Sequence, residues 1–205
     1  HVAFVRSVEA HARLASIDDG DAKAGPGIIE ILTGADLAAD EIGGVPWEVK
    51  PVSEKVSSDA SLLPGDPAVA RPQPAMPSKR AMFVGQIVAM VIGETRAAAL
   101  DAAEKVIVEY DSIPAVVEIS AATAPNAPVI DQQFPDNICF RLAFGDKAKT
   151  EAAFAQAAHV TRIRHVQNRG VGAPIETRGY IGDWNADDGK FTLYATAGKP
   201  HPVRN

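Results

Sequence analysis

Five histidines, one cysteine and a glycine-containing cluster bearing one acid and two arginines are the parts of this chain whose residue types could do chemistry. His1, His11, His159, His165 and His201 never stand at the i, i+4 spacing that sets two imidazoles on one helix face around zinc, and no Cys-x-x-Cys accompanies them. A metal site of sequence-local ligands is therefore not expected. His159 and His165 are six positions apart, an even spacing that puts both on one face of a strand. A polar strand face accounts for that as well as a ligand role. Cys139 lies between Ile138 and Phe140, where a small buried apolar residue would serve equally, and no nucleophile motif surrounds it. Gly170 and Gly172 fail the dinucleotide fingerprint because no Gly-x-x-Gly continuation opens a helix behind them; a Walker lysine loop and a Gly-x-Ser-x-Gly elbow are absent too. The most unusual cluster runs from Asn168 to Gly179. On a strand, Glu176 and Arg178 would point the same way, to pair with each other or to position a neighbouring loop, and the ordinary strand ion pair is the favoured reading.

The elements that must position these residues follow from periodicity. Val2, Phe4 and Arg6 share one face, then Ala12, Leu14 and Ser16, and Gly27–Leu32 is rich in β-formers, so the first third is expected to be strands. Between them Asp18–Pro26 reads as a short helical turn with an acidic start and a Gly-Pro stop. From about Gly43 to Lys79 seven prolines among serines forbid a long helix or central strand, which predicts a long surface excursion. Met82–Ile92 is a near-continuous apolar run, expected as a strand buried on both faces. Glu94–Lys105 switches to helical period, with Ala97, Leu100, Ala103 and Ile107 as its apolar stripe and Thr95 as N-cap. Val106–Tyr110 and Ala115–Val117 are expected as strands about a turn, Ala121–Pro135 as a linker and Asn137–Phe144 as a short strand. An alanine-rich helix to about Ala158 follows. Three strands are expected near His159–Asn168, Thr177–Trp184 and Lys190–Thr196, the last two joined as a hairpin. Strands and helices interleave, giving a mixed class in two units split near residue 130, without internal repeat.

Composition narrows the partners. Lysine plus arginine total 20 against 26 acids, a net charge of −6, which opposes a phosphate-binding surface and makes nucleic acid an unexpected partner. The apolar run Ile87–Ile92 is far short of the roughly 20 residues of a spanning helix, so no membrane insertion is expected. No charged-then-apolar leader precedes it. One cysteine excludes an internal disulfide framework, a cysteine-rich zinc site and cysteine-held iron–sulfur clusters within these residues; a reducing cytoplasm is the expected location. A first residue His1, and a stop at Asn205 directly after a strand pattern, suggest a piece of something longer.

In their order, the segments His1–Ser7, His11–Asp18, Pro26-Gly27 and Leu32–Leu37 resemble the start of the large, molybdenum-binding subunit of molybdenum hydroxylases, the xanthine dehydrogenase, aldehyde oxidase and aerobic carbon monoxide dehydrogenase relatives. The resemblance continues through Phe83–Gln86, Glu94–Arg96, Asp101–Glu104, Val108–Asp111 and Ile113–Val117. It resumes at Gly145-Asp146, Ala153-Phe154, Asn168-Arg169, Pro174–Gly179, Leu193-Tyr194 and Pro200-His201. Each piece is weak alone; the order across nearly the whole chain is specific.

The resemblance implies an α+β fold: an α/β hammerhead domain over residues 1–120, a linker over 121–135, and over 136–205 the first strands and helix of a molybdenum-cofactor-binding domain. It implies oxidative hydroxylation of an aldehyde or heteroaromatic small-molecule substrate with water as oxygen source, or carbon monoxide oxidation. A molybdenum-pterin cofactor would be used by the full-length protein, and iron–sulfur and flavin subunits or domains would take the electrons. The family's pterin-cradling glycine-rich loop and its base glutamate come later than Pro200-His201, so the resemblance implies no catalytic residue here, no cofactor bound to these residues alone, and no activity from them alone. One position departs from the family pattern. Many relatives carry a glutamine near the molybdenum, two residues before the proline of the Pro-His pair, and Gly198 occupies that place in Thr196–His201. A glycine cannot donate a side-chain hydrogen bond, which implies another donor, a different substrate or lost activity. The reading from a different class is a noncatalytic hammerhead module serving as a subunit-docking or structural protein.

Overall fold

A computed structural model describes residues 1–45, 60–62, 73–139, 142–167 and 170–198, with only the backbone of 60–62 and 142–144. Its contacts divide the chain into His1–Glu151 and Ala152–Asn205. The first unit begins with β1 (Val2–Arg6), β2 (Ala12–Asp18), the single turn α1 (Gly20–Lys23), β3 (Ile28–Thr33) and α2 (Gly34–Ala39). It continues through β4 (Ala60–Leu62), β5 (Arg80–Ala81), β6 (Ile87–Gly93), α3 (Arg96–Ala103), β7 (Ile107–Ser112), the turn α4 (Ile119–Ala122), β8 (Leu142–Phe144) and the start of α5 (Lys147–Gln156). The expected α+β class is what the chain adopts.

Two three-stranded antiparallel sheets carry this unit, ordered β1-β6-β3 and β5-β2-β7. β6 is central, and Val88, Ala89 and Val91 on its two faces are fully buried. Ala22, Ile31, Val91, Ala102 and Val106 form one buried cluster, with Val5, Ile17, Ile28, Ala103 and Val108 packed around it. Burying a side chain such as Ile31 or Val91 stabilises the fold by about 1.5–3 kcal/mol.

Helix α3 closes over this core with its N-terminus capped by Thr95, whose Oγ1 accepts from the Ala98 N–H at 3.1 Å. Its buried stripe is Ala99, Ala102 and the following Val106, while Ala97 and Leu100 face solvent, which corrects the expected Ala97–Leu100–Ala103–Ile107 stripe. The reason is close approach. A Cβ on Gly93 would stand 3.0 Å from the Ala99 backbone nitrogen, so the helix seats its smallest side chains on β6 and turns Leu100 outward.

Other expectations shift. The run Met82–Ile92 is not one strand: Gly85 adopts φ +86°, and its N–H donates to the Ser7 carbonyl at 2.7 Å while Ser7 N–H donates to the Gln86 carbonyl at 2.8 Å. A turn therefore separates β5 from β6, and Phe83 and Val84 are exposed. Helix α2 appears where only strand pattern was read. Ala115–Val117 is not a strand; Pro114 offers no N–H, and its carbonyl is 2.9 Å from Nδ1 of His11. Of the expected 43–79 excursion, residues 46–59 and 63–72 lie outside the described residues. Its described parts pair Ala60–Leu62 with Leu142–Phe144 and bridge Val45 to Gln73. The segment expected as a linker is braced from within, Asn137 Nδ2 donating to the carbonyls of Ala122 and Pro128, both at 2.9 Å, and its Oδ1 accepting from Ile130 N–H at 3.0 Å; Arg80 Nη1 ties it to β5 by donating to the Ile130 carbonyl at 3.2 Å, and Phe134 is buried.

The second unit, described by itself, holds the hairpin β9 (Tyr180–Asn185) and β10 (Lys190–Ala195). The expected connection closes it, with Gly189 at φ +64° and Asp187 N–H donating to Asn185 Oδ1 at 2.9 Å. Alternation puts Tyr180, Trp184, Phe191 and Leu193 on one face, and the Trp184 and Phe191 rings pair across the strands at 4.4 Å. Residues 159–167 form no strand and are almost wholly exposed, so the expected third strand is absent among the described residues.

Candidate functional site

The histidine pair dissolves with its strand: His159 and His165 are exposed on irregular backbone, and the neighbour of His159 Nε2 is Thr161 Oγ1 at 3.3 Å. Glu176 and Arg178 likewise stand exposed outside any strand, so the argument that they share a strand face lapses. His11 is the opposite case. It is buried at the start of β2, its Nδ1 on the Pro114 carbonyl and its Nε2 without a hydrogen-bond partner, while its own carbonyl accepts from Ile113 N–H at 3.0 Å. Those two bonds tie β2 to the segment leaving β7, a structural part.

Gly198 lies just past β10. Thr196 N–H donates to the Gly179 carbonyl at 3.0 Å, so the stretch leading to Gly198 runs beside the end of the Pro174–Gly179 motif. The fold thus brings together two sequence segments that the spacing alone left apart. Among the described residues no atom comes within 4 Å of the place a Cβ at Gly198 would take, and the glycine itself offers no side-chain donor. Residues 199–205, His201 among them, lie outside the described residues, and His1 opens the first sheet, its amino group donating to the Gly93 carbonyl at 2.7 Å. Among the described residues no grouping of three or more His, Cys, Asp or Glu could hold a metal ion.

Two carboxylate contacts shift their partners. The Thr33 hydroxyl and backbone N–H, each 2.7 Å from Asp36 Oδ2, hold the Asp36 carboxyl below the usual carboxylate range. Asp19, 3.1 Å from Lys23 Nζ, raises the lysine above its ordinary value. Both belong to helix ends.

Sequence reasoning missed a cavity of about 500 Å3 within the first unit, lined in part by Lys79, Arg80, Gln86, Asp131 and Cys139. Its one signal in the sequence was Gly85-Gln86 interrupting an apolar run.

The family model for the aldehyde oxidase and xanthine dehydrogenase a/b hammerhead domain matches residues 1–114, more than half of the chain. The chain belongs to this hydroxylase family. A model for the molybdopterin cofactor-binding domain matches residues 130–205 of the same family member. The carbon monoxide dehydrogenase large chain of Afipia carboxidovorans is 32% identical over 98% of this chain and 24% of its own. The nicotine 6-hydroxylase large subunit of Paenarthrobacter nicotinovorans is 28% identical over 100% of this chain and 23% of its own. Among solved structures, a Cu,Mo carbon monoxide dehydrogenase superposes with TM-score 0.79 at 30% identity, covering 99% of this chain and 24% of that one. Quinoline 2-oxidoreductase from Pseudomonas putida 86 gives 0.74 at 30% identity, covering 100% and 24%. This family member spans about a quarter of the length of the curated relatives it matches. No helix among its described residues is long and apolar enough to cross a membrane.

Proposed function

We propose that this chain is the N-terminal part of the large subunit of a molybdenum hydroxylase, with residues 1–120 as its hammerhead domain, 121–135 as a connecting segment and 136–205 as the first portion of its cofactor domain. The observation that carries the reading is the succession of two family models, hammerhead then molybdopterin domain, in one chain that aligns along nearly its whole length with a carbon monoxide dehydrogenase large chain. The whole protein would act in the cytoplasm. A molybdenum-pterin cofactor, when bound, would supply two-electron oxidation of a small substrate with water as the oxygen source, the substrate being an aldehyde, a heteroaromatic ring or carbon monoxide. Iron–sulfur and flavin partners would receive the electrons. The part of this chain is architectural: β9 and β10 carry the backbone to Gly198, and the first unit supplies a rigid frame.

The 205 residues alone are expected to bind no cofactor and show no turnover. Metal and pterin analysis of the protein expressed from its complete reading frame tests the reading. Near-stoichiometric molybdenum and pterin is the expected result, and their absence from a folded product would overturn it in favour of a noncatalytic docking module. Gly198→Gln in that protein tests the position separately. The expected result is a folded variant whose kcat for small substrates changes by more than its molybdenum content does.

A further inference from the structure

Cys139 is the chain's single cysteine, half-buried, and it lines the cavity of about 500 Å3 in the first unit. That volume lies within the roughly 300–1,000 Å3 of small-molecule sites. Among the described residues, Lys79 and Arg80, whose Nη1 also donates to the Ile130 carbonyl at 3.2 Å, and the acid Asp131 line it, in a chain whose net charge is −6. Gln86 on the same wall is only 5% exposed. Its Oε1 accepts from Met82 N–H at 2.7 Å, and among the described residues its amide N–H donors have no partner. The Gln86 Nε2 keeps solvent access, so a ligand oxygen in the cavity would take the place of water on it. Phe134 and Met82 supply apolar wall beside these polar groups.

We propose that this cavity is a thiol-modification site, in which a carboxylate-bearing low-molecular-weight peptide disulfide binds through Lys79, Arg80 and the Gln86 amide and exchanges with Cys139. The Cys139 thiol loses its proton to water, and its thiolate sulfur attacks one sulfur of the bound disulfide. The old S–S bond breaks as the new one forms, and the other half leaves with the electron pair as a thiolate that takes up a proton. The incoming disulfide is the only oxidant.

The test compares oxidised glutathione with cationic cystamine on the protein expressed from its complete reading frame at neutral pH, following the mixed disulfide at Cys139 by peptide mass. Each rate is divided by that of the same chain unfolded in urea. The expected folded-to-unfolded ratio is about tenfold higher for glutathione disulfide than for cystamine, and the preference shrinks in high salt. Lys79→Glu should erase most of that preference while leaving the unfolded rates unchanged. Gln86→Glu keeps the acceptor for Met82 N–H but replaces the amide donors with a repelling oxygen, and should do the same; if it does not fold, Lys79→Glu still decides. Equal ratios for the two disulfides, no adduct in the folded chain, or a preference that survives Lys79→Glu would each overturn the proposal.

Discussion

Thr33 and Asp36 close the start of α2 on each other: the Thr33 hydroxyl accepts from Ala35 N–H at 3.3 Å and donates to Asp36 Oδ2, which also receives the Thr33 backbone N–H. Thr33→Ala should cost about 1 kcal/mol in urea unfolding at pH 7. The pH dependence has a definite sign. Because the folded state holds the Asp36 carboxyl below its ordinary value, its contribution is complete above that ordinary value and is lost as pH falls through the lower folded one. Asp36→Asn should therefore destabilise at neutral pH and matter little in strong acid, a difference read from unfolding midpoints at the two conditions. Lys23, raised by Asp19, works the other way, its small contribution disappearing only as pH climbs beyond the ordinary lysine range. The Thr-x-x-Asp signature stands in the sequence directly after the β-rich run Gly27–Leu32, where no helix was expected. Glu176 and Arg178 illustrate the reverse, a spacing argument that lapsed because the strand it assumed does not form.

At the scale of elements, the helix at Arg96–Ala103 and the hairpin at Tyr180–Ala195 were legible because alanine spacing, a threonine cap and a polar glycine-ended turn are local signals. Which stripe of α3 turns inward was not legible. Alanine lies on several sides of that helix, and the deciding contact, Gly93 against Ala99, comes from packing across the sheet. Gly93→Ala should cost about 1–3 kcal/mol by forcing the helix off the strand, and Ala99→Leu a similar amount. Leu100→Ala, by contrast, removes an exposed side chain and should fall within about 0.5 kcal/mol of the parent by thermal or urea unfolding. Gly34 is a second such position, since the Pro77 carbonyl occupies the place its Cβ would take, so Gly34→Ala should destabilise more than Gly93→Ala. The apolar run at 82–92 misled for a related reason: hydrophobicity reports burial, whereas the chain reversal at Gly85 is a backbone event held by Ser7, almost 80 residues earlier in the chain.

Over the whole molecule, burial is uneven: among the strands whose side chains are described β6 is the most enclosed, while every residue of β9 and β10 is exposed. Amide exchange should accordingly be slowest in Ile87–Gly93 and fastest, among strands, in the hairpin, and Phe191→Lys should reduce binding of an apolar dye without shifting the unfolding midpoint of the first unit. Family and fold class were legible because many weak motifs kept their order, a property no single window carries. The cavity beside Cys139 was not, since Lys79, Gln86 and Asp131 meet only through folding. The topology of the first sheet also sets a timetable. β1 and β3 both pair with β6, neither pairs with the other, and Thr33 precedes Ile87 by 54 positions. At about 5–20 residues per second, a ribosome would hold both early strands without their shared partner for roughly 3–11 seconds. Nascent chains halted before residue 87 emerges should be open to protease throughout, and a chaperone that shields apolar strand edges would have its work in that interval.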